Sequence, residues 1–411
     1  MATPLPMYPA TDEESIRRLE LSDDLREFRQ VTGMEGAMKL AREVVEDPSY
    51  PTVRAWSRGG GKAIGCFPVY TPQELIHSFG LLPVSLHGGG EHLEISHADA
   101  ALGSFLCSIS KSTLELALTR QLSSFQGFVF PYICDVSRNL EGLFPRLLPG
   151  PETHMLHLPQ NFHTRAAVPF LTAEYRRLVD KLERVSGQRY DPESLAASMR
   201  LFNAHRARLA ELTALKRTAP AKVTFLESYL IRRLGGLLPR ELHLAMLDRL
   251  LPELDRRPSR PKDAVRVLLV GSFCEQPTLD LIDLLEQVGC YAVDDELLQI
   301  HRWYGAVEPG DDPLASLAKA YVNAPVDIGV RATPTTKGAA ILERVQAADA
   351  QAVLFLTAKF CEPALEDVVL YRRALDAKRI PYLHLEYEER STAYEQSRLQ
   401  LETFVESILF N

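Results

Sequence analysis

The chain has 411 residues, of which 46% are apolar and 24% are charged, and its formal net charge is −8. This length exceeds what one compact core accommodates, so we expect two or three globular domains. The acidic balance offers no basic field of the kind that attracts nucleic acid or anionic lipid, so neither is an expected partner. Because the first residues do not resemble a signal segment and no apolar run approaches roughly 18 residues, we expect a cytoplasmic protein without membrane spans.

The N-terminal half predicts a helical arm followed by an α/β domain. In residues 1–56, apolar positions recur at helical spacing among many charges, which indicates an arm of amphipathic helices. In residues 57–161, short apolar runs alternate with helical stretches, as in a first α/β domain. Within it, Thr71 followed by Pro72 and by Glu74 three positions later has the spacing of a capping box at a helix start.

The C-terminal half predicts a helical segment and a second α/β domain. Residues 162–262 have helical periodicity and end in a polar, turn-rich, basic stretch at residues 256–262. In residues 263–411, strand-like runs again alternate with helical ones. We therefore predict an α/β protein with two doubly wound parallel-sheet domains, an N-terminal helical arm and a helical bridging segment.

Three cysteines end apolar runs that are typical of strands, namely Cys134, Cys274 and Cys361. Because ligands in open α/β sheets bind outside the carboxyl ends of the strands, we expect these thiols in a crevice instead of a core. Cys107 lies at the start of a helical stretch and can offer a further thiolate. Thiolates select zinc or iron–sulfur clusters, and the close cysteine pairs usual at zinc sites are absent here. The pattern therefore favours an iron–sulfur centre, with Cys107, Cys134 and Cys361 as candidate ligands.

The other cysteines leave alternatives open. Cys66 and Cys274 both follow strand-like runs, so either could supply a fourth ligand, line the site or be buried in a core. Cys290 lies inside a predicted strand and is expected to be structural. Because free cysteine is often buried as a small apolar residue, purely structural thiols are the alternative for the candidate ligands as well.

A glycine-rich loop follows the predicted strand at residues 82–86. Its amides at Gly88, Gly89 and Gly90 could contact a thioester or phosphate oxygen, although a simple turn explains the loop equally well. His87 and His92 flank the glycines, and either could pass protons to a substrate near neutral pH. Exposed loop histidines without such a role are the alternative.

Two carboxylates, Glu275 and Glu362, each follow a cysteine at a predicted strand end. We include Glu275 with His87 and His92 as a candidate catalytic residue, although helix-capping or solvated positions explain both carboxylates. The sequence has no nucleophile elbow, phosphate-binding loop, dinucleotide fingerprint or zinc-protease motif. Any electrons used in catalysis must therefore come from elsewhere.

Four stretches together resemble a known family. They are Gly65-Cys-Phe-Pro-Val-Tyr-Thr-Pro, Cys134-Asp-Val-Ser-Arg-Asn, Gly271-Ser-Phe-Cys-Glu-Gln-Pro and Phe360-Cys-Glu-Pro-Ala. Over nearly the whole chain, this order is similar to the 2-hydroxyacyl-CoA dehydratase and benzoyl-CoA reductase family. The third stretch is most like the smaller cluster-bearing subunit of the reductases. The chain departs from many relatives in having Ser108, not proline, after Cys107.

The resemblance implies a [4Fe-4S] cluster held by Cys107, Cys134 and Cys361 between two flavodoxin-like domains. It also implies a homologous sister subunit, an ATP-hydrolysing iron–sulfur activator fed by ferredoxin, and an acyl-CoA substrate. The expected activity is that of a subunit of an ATP-dependent benzoyl-CoA reductase. A subunit of a 2-hydroxyacyl-CoA dehydratase and a non-catalytic electron relay are alternatives within the family, and a two-domain binding protein for an anionic small molecule is the alternative outside it.

Overall fold

The structure, a computed structural model, describes residues 33–90, 93–271, 274–297, 305–324, 334–389 and 393–410. Much of the predicted N-terminal arm, residues 1–32, lies outside these ranges. The helices of the described part include none that is both long and apolar enough to cross a membrane. The predicted α/β class is confirmed, because the chain forms two four-stranded parallel sheets with flanking helices.

The first sheet has the strand order β2-β1-β3-β4, and every neighbouring pair is parallel. Nearly all residues of β1, β2 and β3 are buried, as expected for strands covered by helices on both faces. Its strands are β1 (Lys62–Cys66), β2 (Leu81–Ser85), β3 (Gly127–Pro131) and β4 (Glu152–Leu156). The helices in this part of the chain are α1 (Gly33–Glu46), α2 (Pro51–Arg58), α3 (Gln73–His77), α4 (Ser96–Ala101), α5 (Ser108–Leu118) and α6 (Asp135–Leu147).

A helical segment follows the first sheet. It comprises α7 (Ala167–Ser186), α8 (Pro192–Thr218), a 3₁₀ turn (Pro220–Lys222), α9 (Phe225–Leu234) and α10 (Arg240–Arg256). Local sequence fixes two of its helix starts. The Asp191 carboxylate accepts hydrogen bonds from the first-turn amides of α8, and Thr224 with Glu227 forms a reciprocal capping box at α9.

The second sheet has the order β6-β5-β7-β8 and is also parallel throughout. Its strands are β5 (Val265–Gly271), β6 (Cys290–Asp295), β7 (Ala352–Ala358) and β8 (Tyr382–Tyr387). The helices in this part of the chain are α11 (Leu279–Gln287), α12 (Pro313–Val322), α13 (Pro334–Ala347), α14 (Glu362–Lys378) and α15 (Glu395–Leu409). The chain must be glycine at Gly271, because a Cβ there would overlap the carbonyl oxygen of Leu356 on the paired strand.

The capping box predicted at Thr71 is wrong. Helix α3 begins without a side-chain cap, and the buried hydroxyl of Thr71 has no hydrogen-bond partner. The reason is tertiary, because Glu74 is buried and forms an ion pair with Arg206 of α8 instead of turning back to the helix start. Contact with the helical segment thus overrides the local motif.

A buried charge cluster fastens the helical segment to the second sheet. The Asp295 carboxylate, at the end of β6, accepts hydrogen bonds of 2.6 Å from both Lys216 of α8 and Arg232 of α9. The side chains of Lys216 and Asp295 are 1% exposed and that of Arg232 is 3% exposed. Charges this deeply buried are tolerated only when they are paired, so the cluster fixes how these elements dock.

We expect Asp295→Asn to lower the free energy of unfolding by about 3–5 kcal/mol, because two buried cations lose their anionic partner. Chemical denaturation of the purified chain measures this loss. The matched control is Glu402→Gln, which removes an exposed ion pair with Arg398 and should cost less than about 1 kcal/mol. A loss for Asp295→Asn no larger than that of the control would contradict the assignment.

Candidate functional site

The three cysteines predicted as ligands occupy equivalent positions in the structure. Cys107, Cys134 and Cys361 are the N-cap residues of α5, α6 and α14, respectively. Cys134 acts as a cap in the full sense, since its Sγ accepts a hydrogen bond of 3.5 Å from the amide of Ser137. The partial positive charge at a helix start favours a thiolate, so each thiol lies where its anionic form is supported.

The thiols are close enough to act on one another electrostatically. Burial, together with the charges of Glu275, Cys361 and Cys134, raises the pKa of Cys107 to about 12. The pKa of Cys274 is raised by burial and by the three candidate ligands. Without a nearby cation, Cys107 and Cys274 are therefore protonated at neutral pH, whereas a metal bound at Cys107 would draw out its proton.

The residues fit an iron–sulfur cluster by the chemistry of their donor atoms. Three thiols gather from the starts of three helices that belong to both sheet domains. Each thiolate of such a cluster binds a different iron, so its ligands surround a polynuclear centre instead of one ion. Within the described ranges, no group of three histidine, cysteine or acidic side chains is arranged to hold a single metal ion.

The remaining cysteines lie in other surroundings. Cys274 is buried, and its thiol donates a hydrogen bond of 3.1 Å to the carbonyl oxygen of Pro68. This hydrogen bond links the two sheet domains. Cys66 is fully buried at the end of β1, where its thiol contacts the carbonyl of Ile64. Cys290 is buried at the start of β6. Cys274 is therefore the only one of these three thiols whose pKa responds to the candidate ligands.

A cleft of about 880 Å³, including its part open to solvent, lies beside the glycine-rich loop. Its lining brings His87 and the three glycines of residues 88–90 together with Tyr50, Arg233, Gln276 and Glu389. The loop identified from sequence thus lies at a cavity formed by both domains and the helical segment.

The glycine loop closes around the carboxylate of Glu389. Gly88 has a φ of +77°, and a Cβ there would overlap both Glu389 Oε1 and Ser112 Oγ. The amide of Gly90 donates a hydrogen bond of 2.6 Å to Glu389, and the hydroxyl of Ser112 donates one of 2.7 Å. In this structure the Gly90 amide is thus directed at a carboxylate of the protein itself, and contact with a substrate oxygen stays a prediction.

Glu275 and Glu389 form a buried pair of carboxyl groups. Glu275 accepts hydrogen bonds from the amide of Ile109 at 3.1 Å and from the amide of Glu389 at 2.9 Å. Burial, with the charge of Glu389 as the next cause, raises the pKa of Glu275 to about 8. Burial also raises the pKa of Glu389, although its hydrogen bonds from Ser112 and Gly90 oppose that rise. The pair can therefore hold a proton near neutral pH.

These observations correct two expectations from sequence. Glu275 is neither a solvated residue nor a helix cap, because it is buried against α5 and the end of β8. His87 is not an exposed loop histidine but is 6% exposed, because the loop folds into the cleft. By contrast, Glu362 is exposed in the first turn of α14, as expected for a helix-start carboxylate. His92 lies outside the described residues.

Sequence reasoning missed Glu389 and Arg233. Glu389 follows β8 in the same way that Glu275 follows β5, so the rule that strand ends deliver site residues could have identified it. Arg233 lies within α9 next to Arg232 and carries no comparable signal. Arg233 reaches the cleft only because α9 packs beside the glycine loop.

A family model described as 2-hydroxyglutaryl-CoA dehydratase, D-component, matches residues 68–408. The chain is 34% identical over 368 residues to the C subunit of benzoyl-CoA reductase of Thauera aromatica, a match that covers 88% of this chain and 95% of the relative. It is 26% identical over 369 residues to the beta subunit of (R)-phenyllactyl-CoA dehydratase of Clostridium sporogenes, covering 89% and 97%. It is 24% identical over 355 residues to the beta subunit of (R)-2-hydroxyglutaryl-CoA dehydratase of Acidaminococcus fermentans, covering 85% and 93%.

We expect Gly88→Ala to lower the free energy of unfolding by more than about 1 kcal/mol. The backbone at this residue is left-handed, which disfavours alanine, and the new methyl group would overlap the Glu389 carboxylate. Thermal and chemical unfolding measure the effect. Gly142→Ala is the matched control, because this helical glycine has open space around its Cβ position and should gain about 0.5–1 kcal/mol. Equal stability of the two variants would contradict the described loop geometry.

Proposed function

Since this chain belongs to the 2-hydroxyglutaryl-CoA dehydratase D-component family, we propose that it is the [4Fe-4S]-carrying subunit of an ATP-dependent benzoyl-CoA reductase. The observation that carries the proposal is the gathering of Cys107, Cys134 and Cys361 at three helix starts. The greater identity to a benzoyl-CoA reductase subunit than to the dehydratase subunits supports the choice of reaction.

In this proposal, Cys107, Cys134 and Cys361 hold the cluster, which when bound supplies low-potential electrons one at a time. An ATP-hydrolysing iron–sulfur activator, itself reduced by ferredoxin, delivers those electrons to the complex. The complex also contains a homologous sister subunit, in keeping with the subunit names of the relatives. We place all of these components in the cytoplasm.

The chain's own groups hold the substrate and the proton. The acyl thioester occupies the cleft beside the glycine loop, where its reacting end is removed from bulk water. Reduction of a ring consumes protons as well as electrons, and Glu275 with Glu389 can retain a proton at neutral pH. Glu275 therefore remains a catalytic candidate together with His87 and His92, because it connects the cleft to the helix that begins at Cys107.

The second candidate function is the dehydration of a 2-hydroxyacyl-CoA thioester. The family model and the two dehydratase relatives favour this alternative, and loss of a hydroxyl group also requires both an electron and a proton. A purely electron-relaying subunit would use the thiols but not the cleft. Substrate preference separates the two reactions, and a spectral response of the cluster to thioester separates either reaction from a relay.

We expect about four irons and four acid-labile sulfides per chain in protein that is produced and purified without oxygen. Cys134→Ala should lose most of both, because it removes one thiolate ligand. Cys290→Ala is the matched control and should retain them, since this thiol is buried at the start of β6. Folded wild-type protein that contains no iron would make the thiols structural and rule out the proposal.

We further expect the complex with its sister subunit and activator to consume benzoyl-CoA when reductant and ATP are supplied without oxygen. Thioester disappearance and ATP hydrolysis are measured together. The same complex lacking ATP, and a complex containing Cys134→Ala, are the controls and should be inactive. Turnover of 2-hydroxyacyl-CoA thioesters alone would replace the reductase assignment with the dehydratase.

A further inference from the structure

The two members of the buried carboxyl pair have different hydrogen-bond partners. Both hydrogen bonds that the described residues donate to the Glu275 carboxyl come from backbone amides, those of Ile109 at 3.1 Å and Glu389 at 2.9 Å. A backbone N–H can only donate, so neither amide can accept a hydrogen bond from a protonated Glu275. These two donors therefore favour the ionised form of Glu275.

The Glu389 carboxyl has a partner that can reverse its role. One oxygen accepts from the amide of Gly90, and the other lies 2.7 Å from the hydroxyl of Ser112. That hydroxyl also lies 3.2 Å from the carbonyl oxygen of Ile109, which is three residues earlier in α5. Its single hydrogen can point at an ionised Glu389, or it can turn to Ile109 while the oxygen accepts from a protonated Glu389. Both protonation states of Glu389 therefore leave these groups paired.

The charges around Glu389 leave this choice to hydrogen bonding. The titratable side chains that face it are Arg233 and Tyr229 of α9, Glu275 after β5, Tyr50 before α2 and His87 of the glycine loop. Burial raises the pKa of both tyrosines and, with the charge of Arg233, lowers that of His87, so these three side chains are uncharged near pH 7. The positive charge of Arg233, which favours an ionised Glu389, is opposed by the negative charge of Glu275.

The two carboxyl groups also differ in their access to the cleft. Glu389 is among the described residues that line it, and Glu275 is not. Both are deeply buried, with 5% of Glu389 and 2% of Glu275 exposed. A proton on Glu389 can therefore reach a molecule in the cleft, whereas one on Glu275 would lie behind it, toward α5.

We propose that Glu389 carries the proton of this pair and donates it to the substrate in the cleft, with Ser112 as its hydrogen-bond partner and Glu275 as its ionised neighbour. The donor role rests on the proposed function, in which the activator supplies two electrons and the ring takes up two protons. In the transfer, the O–H bond of Glu389 breaks and its electron pair stays on the carboxylate. The Ser112 hydroxyl then turns from Ile109 to that carboxylate. Water supplies the second proton and reprotonates Glu389.

Glutamine substitutions locate the proton in the purified chain. A glutamine amide has the donor and acceptor pattern of a protonated carboxyl, so Glu389→Gln can accept from Gly90 and donate to Ser112. The NH2 group of Glu275→Gln would instead face a backbone N–H. In thermal unfolding at pH 7, we expect Glu389→Gln to stay within about 2 °C of wild type, and Glu275→Gln to unfold at least about 3 °C lower than Glu389→Gln.

The pH dependence of stability gives a second measurement. Burial raises the pKa of Glu389 in the folded chain, so the folded state keeps a proton that the unfolded state releases above about pH 4.3. This contribution to stability therefore falls as the pH rises from there to the raised pKa, and Glu389→Gln should remove it. Glu286→Gln is the matched control, because burial raises the pKa of this distant carboxyl to about 7 and its removal leaves the contribution of Glu389 in place.

The donor role is tested in the complex with the sister subunit and activator, supplied with reductant, ATP and benzoyl-CoA without oxygen. We expect Glu389→Gln to keep its iron and sulfide and to form product at least about 100-fold more slowly, the usual scale for loss of a general acid. Glu286→Gln should keep the wild-type rate.

Two results would overturn the inference. A loss of stability in Glu389→Gln equal to or larger than that in Glu275→Gln would place the proton on Glu275. Product formation at the wild-type rate by Glu389→Gln would remove its role as donor. Both results differ from failure of the proposed function, which would appear as wild-type protein without iron and sulfide, and the unfolding measurements do not depend on that content.

Discussion

The site depends on two buried carboxyl groups of the second sheet domain that are satisfied by donors of the first. Glu275 accepts from the amide of Ile109, while Glu389 accepts from Gly90 and Ser112. Buried carboxyl groups that lose such donors become costly, so the two domains cannot separate here without a large penalty. Since Ile109 and Ser112 belong to α5, which begins after Cys107, the same contacts fix both the thiols and the cleft.

Parallel sheets explain why these groups meet at all. In each sheet the carboxyl ends of the strands share one edge, and the residues that follow them lie at that edge. Cys361 comes shortly after β7, Glu275 after β5 and Glu389 after β8. The first domain contributes Cys134 after β3 and the glycine loop after β2. Two such edges facing each other produce a junction rich in polar side chains, between otherwise apolar layers.

What could be predicted from sequence was set by local patterns. Alternating strand-like and helical runs indicated the α/β class, and thiols at the ends of apolar runs indicated the candidate ligands, because both depend on residues near in sequence. The burial of Glu275 and the place of Arg233 in the cleft depend on contacts between distant segments. The capping box expected at Thr71 shows the same limit. It does not form, because Glu74 pairs with Arg206, 132 positions away in the sequence.

The placement of three cysteines as N-cap residues would link any metal binding by these thiols to helix stability. The first amides of a helix lack partners within the helix, and a thiolate held there by a cation stays available to accept from them. Cys134 is the one of the three whose sulfur accepts such a hydrogen bond, so metal occupancy of this thiol and integrity of the start of α6 would be coupled equilibria. Loss of a bound centre would then first weaken the start of α6, at the junction that joins the two domains.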